Sequence, residues 1–209
     1  PPILRWYRWR PPALSLGRFQ AEHDVDPAAC ARLGVAVTRR PTGGRAVLHG
    51  ADLTYAVALP APLGAGGSVD AVYRRVAGAL VAGLAGLGVD AAVGHSDGPG
   101  GAACMASQQG SDLRVGERKL CGSAQVRHRG VVLQHGSVLL DRLPFDESDL
   151  IVDAGPRAAL RSSTVTLREL GAPHDARRVA AALVEGFRTA LDIDFRSMDR
   201  LDLSSNARC

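Results

Sequence analysis

Proline and glycine interrupt this chain so often that only two stretches are long enough for a substantial helix, and most of the remainder must fold as short strands joined by turns. From Val69, apolar residues recur at Val72, Tyr73, Val76 and Leu80, which predicts a helix to about Leu84. After Pro173, His174 and Asp175, one helical face carries Val179, Leu183, Phe187, Ala190 and Leu191. Strands are expected over Ile3 to Trp9 and Ala13 to Leu16, split by Pro11 and Pro12, and over Val35 to Arg39 after a short helix at Asp26 to Leu33. Ala46 to His49 and Leu53 to Leu59 read as a strand pair. Pro60 to Gly67 is a linker closed by Ser68 as the N-cap of the first long helix. Further strands fit Val89 to Val93, Asp112 to Val115, Lys119 to Arg127 and Val131 to Leu140, the last two meeting in a hairpin at Gly130. The fold class is α+β, a mixed and largely antiparallel sheet with packed helices.

A chain of 209 residues is expected to form one domain. Its most apolar run, Val76 to Val89, is broken by Gly78, Gly83, Gly86 and Gly88 and falls short of the roughly 20 residues of a membrane helix. The chain opens at Pro1 with no basic-then-apolar leader. Cys30, Cys104, Cys121 and Cys209 lack CxxC spacing, which points to free thiols in a reducing compartment, the cytoplasm. The net charge of +4 is spread along the chain and aromatics are 4%, so nucleic acid is weakly supported and an acidic protein partner at least as well.

Among 25 basic residues there is one lysine, Lys119. An ammonium is a compact charge that can exchange a proton when desolvated, whereas a guanidinium holds its own. Lys119 is either an accident of biased composition or reserved for chemistry. Gly94 to Gly110 is glycine-rich without periodicity and reads as a loop, where scaffolded chemistry tends to sit, and it contains Cys104.

Two clusters carry the remaining information. Residues 39 to 49, ArgArgProThrGlyGlyArgAlaValLeuHis, place adjacent glycines and arginines between strands, which suits either a carboxylate, phosphate or carbonyl ligand or a plain surface turn. Residues 116 to 127, GlyGluArgLysLeuCysGlySerAlaGlnValArg, lead into LeuGlnHisGlySerValLeuLeuAsp at 133 to 141. With ArgTrpTyrArgTrpArgProProAlaLeuSerLeuGlyArgPheGln at 5 to 20, these run in order over nearly the whole chain. The arrangement resembles the catalytic domain shared by biotin and lipoate protein ligases and lipoate-pathway octanoyltransferases. It is most similar to cysteine-dependent octanoyl-[acyl carrier protein]:protein N-octanoyltransferases.

That resemblance implies a class II biotin/lipoate ligase-like catalytic domain over residues 1–209, lacking the helix that usually precedes the first strand. It implies that Cys104 is the acyl-thioester nucleophile and Lys119 the group that lowers its pKa. It further implies an acyl slot and substrate contacts from Arg40, Gly43, Gly44, Arg45, His49, Gly122, Ser123, Ala124, Gln125, His135 and Gly136. A thiol near pKa 8.5 needs such an ammonium to become the attacking thiolate, and the same charge suits the oxyanion that follows. No cofactor, metal or ATP is needed. The implied partners are octanoyl acyl carrier protein and a lipoyl-domain acceptor such as the glycine-cleavage H protein, met by a monomer.

Other residues keep two readings. Strand alternation puts Cys121 on the same face as Lys119, which makes it a rival nucleophile, although strand cysteines are usually core residues. His49 and His135 suit a pocket wall or a structural hydrogen bond equally. Arg127, His128 and Arg129 form a basic hairpin that either meets an acidic partner or is solvated. Gly50 replaces an aspartate that often follows the histidine, and CysMetAla at 104–106 replaces cysteine followed by an aromatic. The alternatives to an octanoyltransferase are an ATP-dependent lipoate ligase of the same fold, a lipoyl amidotransferase, and a non-catalytic carrier-binding protein.

Overall fold

The computed structural model describes residues 1–60, 69–94, 112–152 and 156–196. In chain order the elements are β1 (Ile3–Tyr7), β2 (Ala13–Leu16), α1 (Pro27–Leu33), β3 (Ala36–Arg39), β4 (Val47–His49), β5 (Asp52–Pro60), α2 (Val69–Ala85), β6 (Ala92–Val93), β7 (Leu113–Val115), β8 (Arg118–His128), β9 (Val131–Leu139), α3 (Arg157–Ser163) and α4 (Ala176–Leu191), with 3-10 turns at Glu22–Asp24 and Glu147–Asp149. The strands form a six-stranded sheet, β1-β5-β9-β8-β7-β6, and a three-stranded sheet, β3-β2-β4. Every pairing in the larger sheet is antiparallel. In the smaller, β2 runs parallel to β3 and antiparallel to β4.

Two of the expected strand neighbours therefore part company. Ala46 to His49 and Leu53 to Leu59 are not a pair: β4 joins β2, and β5 joins β1 and β9. Gly50, at φ 143°, makes the turn that sends them to different sheets, and a Cβ there would press on Pro12 at 3.2 Å. The strand expected over Val89 to Val93 shortens to Ala92–Val93, because Val89 N–H still closes the end of α2 on Leu84 O at 3.1 Å. Helix α3 went unread in the sequence, since Leu160 is its one buried residue.

Capping explains the helix ends. Asp26 accepts from Ala29 N–H at 3.0 Å with Pro27 behind it, Gly34 closes α1 at φ 66°, and Asp175 caps α4 by accepting from Arg177 and Arg178 N–H. Helices α2 and α4 cover one face of the large sheet, burying Val76, Leu80, Leu84, Leu183 and Phe187 against Tyr55, Val57, Leu120, Cys121 and Val138. They cross closely: a Cβ on Gly186 would lie 2.2 Å from Ala79 O, and one on Gly83 2.7 Å from Leu183 Cα. Gly83 thus breaks the apolar run for a packing reason. A second core joins the small sheet to α1, α3 and Leu150. Among the described residues no helix is long and apolar enough to cross a membrane.

Candidate active site

The large sheet has a helix side and a side that meets the small sheet, and alternation sorts its residues between them. On β5, Leu53, Tyr55, Val57 and Leu59 point to the helices, while Asp52 and Thr54 point to the small sheet. Buried polar side chains gather on the second side. Asp52, 1% exposed, accepts from His49 Nδ1 (2.8 Å), Thr54 Oγ1 (2.9 Å), Gly50 N–H (2.9 Å) and the Ser137 hydroxyl. Burial pushes its carboxyl upward, yet the bonds from His49, Ser137 and Gly50 outweigh that and hold it below the usual carboxylate range. The His49 ring stacks on Trp9 at 4.5 Å and 19°, and Trp9 Nε1–H donates to Thr54.

From His49 the network reaches the small sheet. His49 Nε2 lies 2.8 Å from Ser15 Oγ, and Arg40 Nη1 donates to Ser15 O at 2.7 Å and Ser15 Oγ at 3.3 Å. The Asp52 carboxylate can only accept, so His49 Nδ1 carries the proton that faces it. Arg40 Nη2 then donates to Gly43 O (3.0 Å) and Arg45 O (2.5 Å). The glycine loop is held from inside the protein by this chain of bonds, and Arg40 and His49 are its scaffold.

The loop glycines divide by role. Gly17 allows the loop to approach, since a Cβ there would lie 1.8 Å from Gly44 O, and Gly44 itself sits at φ 88°. A Cβ on Gly43 would meet nothing within 4 Å, which leaves open space for a ligand beside its backbone. The half-buried Arg45 guanidinium makes no hydrogen bond or ion pair among the described residues. Thr42, 1% exposed, ties the loop to β9 through Thr42 Oγ1 and His135 Nε2 at 2.6 Å. Burial, then the charge of Arg40 and the His49 ring, lower the His135 pKa to about 4, so this imidazole is neutral at physiological pH.

Strand β8 holds the correction that matters most for chemistry. Leu113 pairs with Cys121 but Arg114 pairs with Lys119, so Leu120 is an extra residue, a β-bulge. Leu113 and Arg114 point to opposite faces, and so do their partners; Cys121 and Lys119 do not share a face. Cys121 is fully buried beneath the helices, and burial, with Asp112 adding to it, pushes its thiol up to about 12. It is a core residue and not a nucleophile. Lys119, 1% exposed, places Nζ 2.8 Å from Asp112 Oδ2. Gly94 N–H donates to Asp112 O at 2.7 Å, so the ends of segment 95–111 are joined next to this ion pair. Cys104 lies in that segment, outside the described residues, as do Ser68, His95 and Cys209.

The remaining expected contacts split between the two sides. Gly122 and Ala124 pair with Ser137 and His135, on the side of the polar network. Ser123 and Gln125 turn the other way: Ser123 Oγ meets Tyr55 OH at 2.8 Å, Gln134 Nε2 donates to the same phenol at 3.2 Å, and Gln125 donates to Gln134 at 3.1 Å. Gly136 serves this inner chain, because a Cβ there would come within 2.4 Å of Gly122 O and 2.6 Å of Tyr55 Cε1. Ser15, Thr42, Asp52, Asp112 and Ser137 were not singled out in the sequence. A cue existed for Asp112, since a lone lysine within an apolar strand needs a counter-ion. A half-open pocket of about 60 Å³ lies beside Leu48, Phe145, Glu147 and Leu160.

The Lipoyl protein ligase A/B catalytic domain model matches residues 1–188. The chain belongs to that family. This lipoyl ligase family member is 44% identical over 209 residues to "Octanoyltransferase LipM" of Kyrpidia tusciae, covering 91% of this chain and 76% of that protein. Its fold is similar to that of a putative lipoate protein ligase from T. acidophilum with bound lipoic acid, at TM-score 0.76 and 29% identity over 93% of this chain and 74% of the other. It is similar also to a lipoate-protein ligase A bound with ATP, at TM-score 0.77 and 27% identity over 96% and 77%. The α+β architecture read from the sequence is that of these lipoyl ligase domains.

Proposed function

We propose that this protein is an octanoyltransferase of lipoate biosynthesis that carries the octanoyl group as a thioester on Cys104. The observation that supports this reading best is the buried Lys119–Asp112 pair, standing where the two ends of the Cys104 segment meet. In the first step the Cys104 thiolate attacks the carbonyl of octanoyl acyl carrier protein, and the carrier leaves as its thiolate, which takes up the proton that Cys104 gave up. In the second, a lysine amine of a lipoyl domain, such as that of the glycine-cleavage H protein, attacks acyl-Cys104, loses a proton, and releases the Cys104 thiol with an amide formed. Lys119 supplies positive charge first to the thiolate and then to the oxyanion, and Asp112 holds the ammonium in position. Gly43, Gly44 and Arg45, with Gly122, Ala124 and His135, border the acyl slot, and the backbones of Ser123, Gln125 and Gly136 support it. The reading needs no metal or ATP and describes a cytoplasmic monomer.

The likeness to a lipoate protein ligase with bound lipoic acid and to one bound with ATP favours one rival, ATP-dependent lipoate ligation. Intact-protein mass after mixing the chain with octanoyl carrier protein, without ATP, separates the two. A hydroxylamine-sensitive octanoyl adduct that Cys104→Ser abolishes and Lys119→Ala slows supports the transferase. Absence of an adduct, with lipoylation of an acceptor once ATP and lipoate are added, overturns it.

A further inference from the structure

Phe19 is 85% exposed, while the other exposed large hydrophobic residues among the described ones lie between 42% and 52%. A phenylalanine left in water forgoes the gain of burying its ring, so a flexible turn would fold it against the surface. This turn is not free to do so. Gln20 N–H closes it on Gly17 O at 3.0 Å, and Arg18 N–H donates to Thr42 O at 2.8 Å, fixing it to the glycine loop. Arg39 grips it from below: Nη1 donates to Gly17 O (2.8 Å), Gln20 O (2.7 Å) and Arg18 O (3.4 Å), and Nη2 to Glu22 Oε1 (3.0 Å). Three bonds from one guanidinium to the carbonyls of this turn, with Glu22 holding the guanidinium in place, fix the backbone that carries an aromatic ring into solvent at the rim of the candidate site.

The charge around the ring has one sign left over. Glu22 answers Arg39, but Arg18, whose guanidinium lies 5.4 Å from the Phe19 ring centroid, has no carboxylate partner among the described residues, and neither has Arg45. A rigid aromatic anchor flanked by arginine is the composition of an interface hot spot for an acidic surface. We propose that the turn Gly17–Gln20, with Phe19 at its tip, is the docking point for the acidic carrier protein that delivers the acyl group. This rests on the transferase reading. A carrier holds its acyl group on a long flexible arm, so it can dock at the rim while the thioester reaches inward; an acceptor lysine has only its own short stem and must bring its domain over the reacting atoms.

The test measures enzyme acylation by octanoyl carrier protein and by a small octanoyl thioester, octanoyl-N-acetylcysteamine, for wild type, Phe19→Ala and Arg18→Glu. Transfer from pre-acylated enzyme to a lipoyl domain is followed in parallel. The proposal expects KM for the carrier to rise at least about tenfold in both variants, with the small thioester and the acceptor step changed less than about twofold. Unchanged carrier KM, equal loss with the small thioester, or loss confined to the acceptor step overturns it. If neither donor acylates wild type, the transferase reading fails by itself. Calorimetric binding of the carrier to wild type and Phe19→Ala then decides the docking point separately: equal affinity, or no binding to either, overturns it.

Discussion

Replacing Asp52 by Asn keeps the shape of the side chain and removes its charge, which isolates the electrostatic part of the buried network. Three donors converge on Oδ2, those of His49, Thr54 and Ser137, while Gly50 N–H alone addresses Oδ1. The best orientation of an asparagine keeps its oxygen under the three donors and turns its NH₂ toward Gly50 N–H. One hydrogen bond is lost and two donors face each other, at about 1–3 kcal/mol for an unsatisfied buried group, and the bond from His49 loses its charge assistance. The expected loss is about 3–5 kcal/mol, a large share of the 5–15 kcal/mol typical of a domain. Urea unfolding at neutral pH should show a lower midpoint with an unchanged slope. Because the Asp52 carboxyl is held below its ordinary range, its contribution is complete above the unfolded pKa of about 3.9 and disappears as pH falls through the folded pKa. The gap between wild type and variant should therefore be flat near neutrality and close only in acid. A loss below about 1 kcal/mol, or a gap that closes above pH 6, would refute the assignment of these bonds.

Two further expectations follow from the same geometry. Lys119→Met should cost about 3–5 kcal/mol in chemical denaturation because it breaks a buried ion pair with Asp112, and adding Asp112→Asn should recover part of that loss; additive losses would count against the ion pair. His135, with its pKa lowered to about 4 from 6.5, should make stability rise between pH 4 and 6.5 by about 3 kcal/mol, and His135→Gln should flatten that rise in unfolding curves taken across the window.

Periodicity carried most of the fold into the sequence. The apolar spacing of Val72, Val76 and Leu80, the helical face from Val179 to Leu191 and the Gly130 hairpin each survive at nearly the expected bounds. What periodicity cannot carry is the choice of sheet: β4 and β5 alternate properly whichever partner they take, and the choice depends on Gly50 and on which side Asp52 turns. The candidate site was legible as residue types and only partly as contacts. Arg40 and His49 looked like ligand groups, and they are spent on Ser15, Asp52 and two loop carbonyls. Ser123 shares a motif with Lys119 yet bonds Tyr55 under the helices, because motif proximity says nothing of facing.

The extra residue at Leu120 means that β8 behaves as two half-strands set out of phase. Were Leu120 instead to pair as an ordinary strand residue, alternation would put Lys119 on the face of Cys121, driving its charge under α2 and α4 or else forcing everything beyond it to turn over. A buried thiol and a buried ammonium can sit two positions apart on opposite faces of this strand only because it miscounts once.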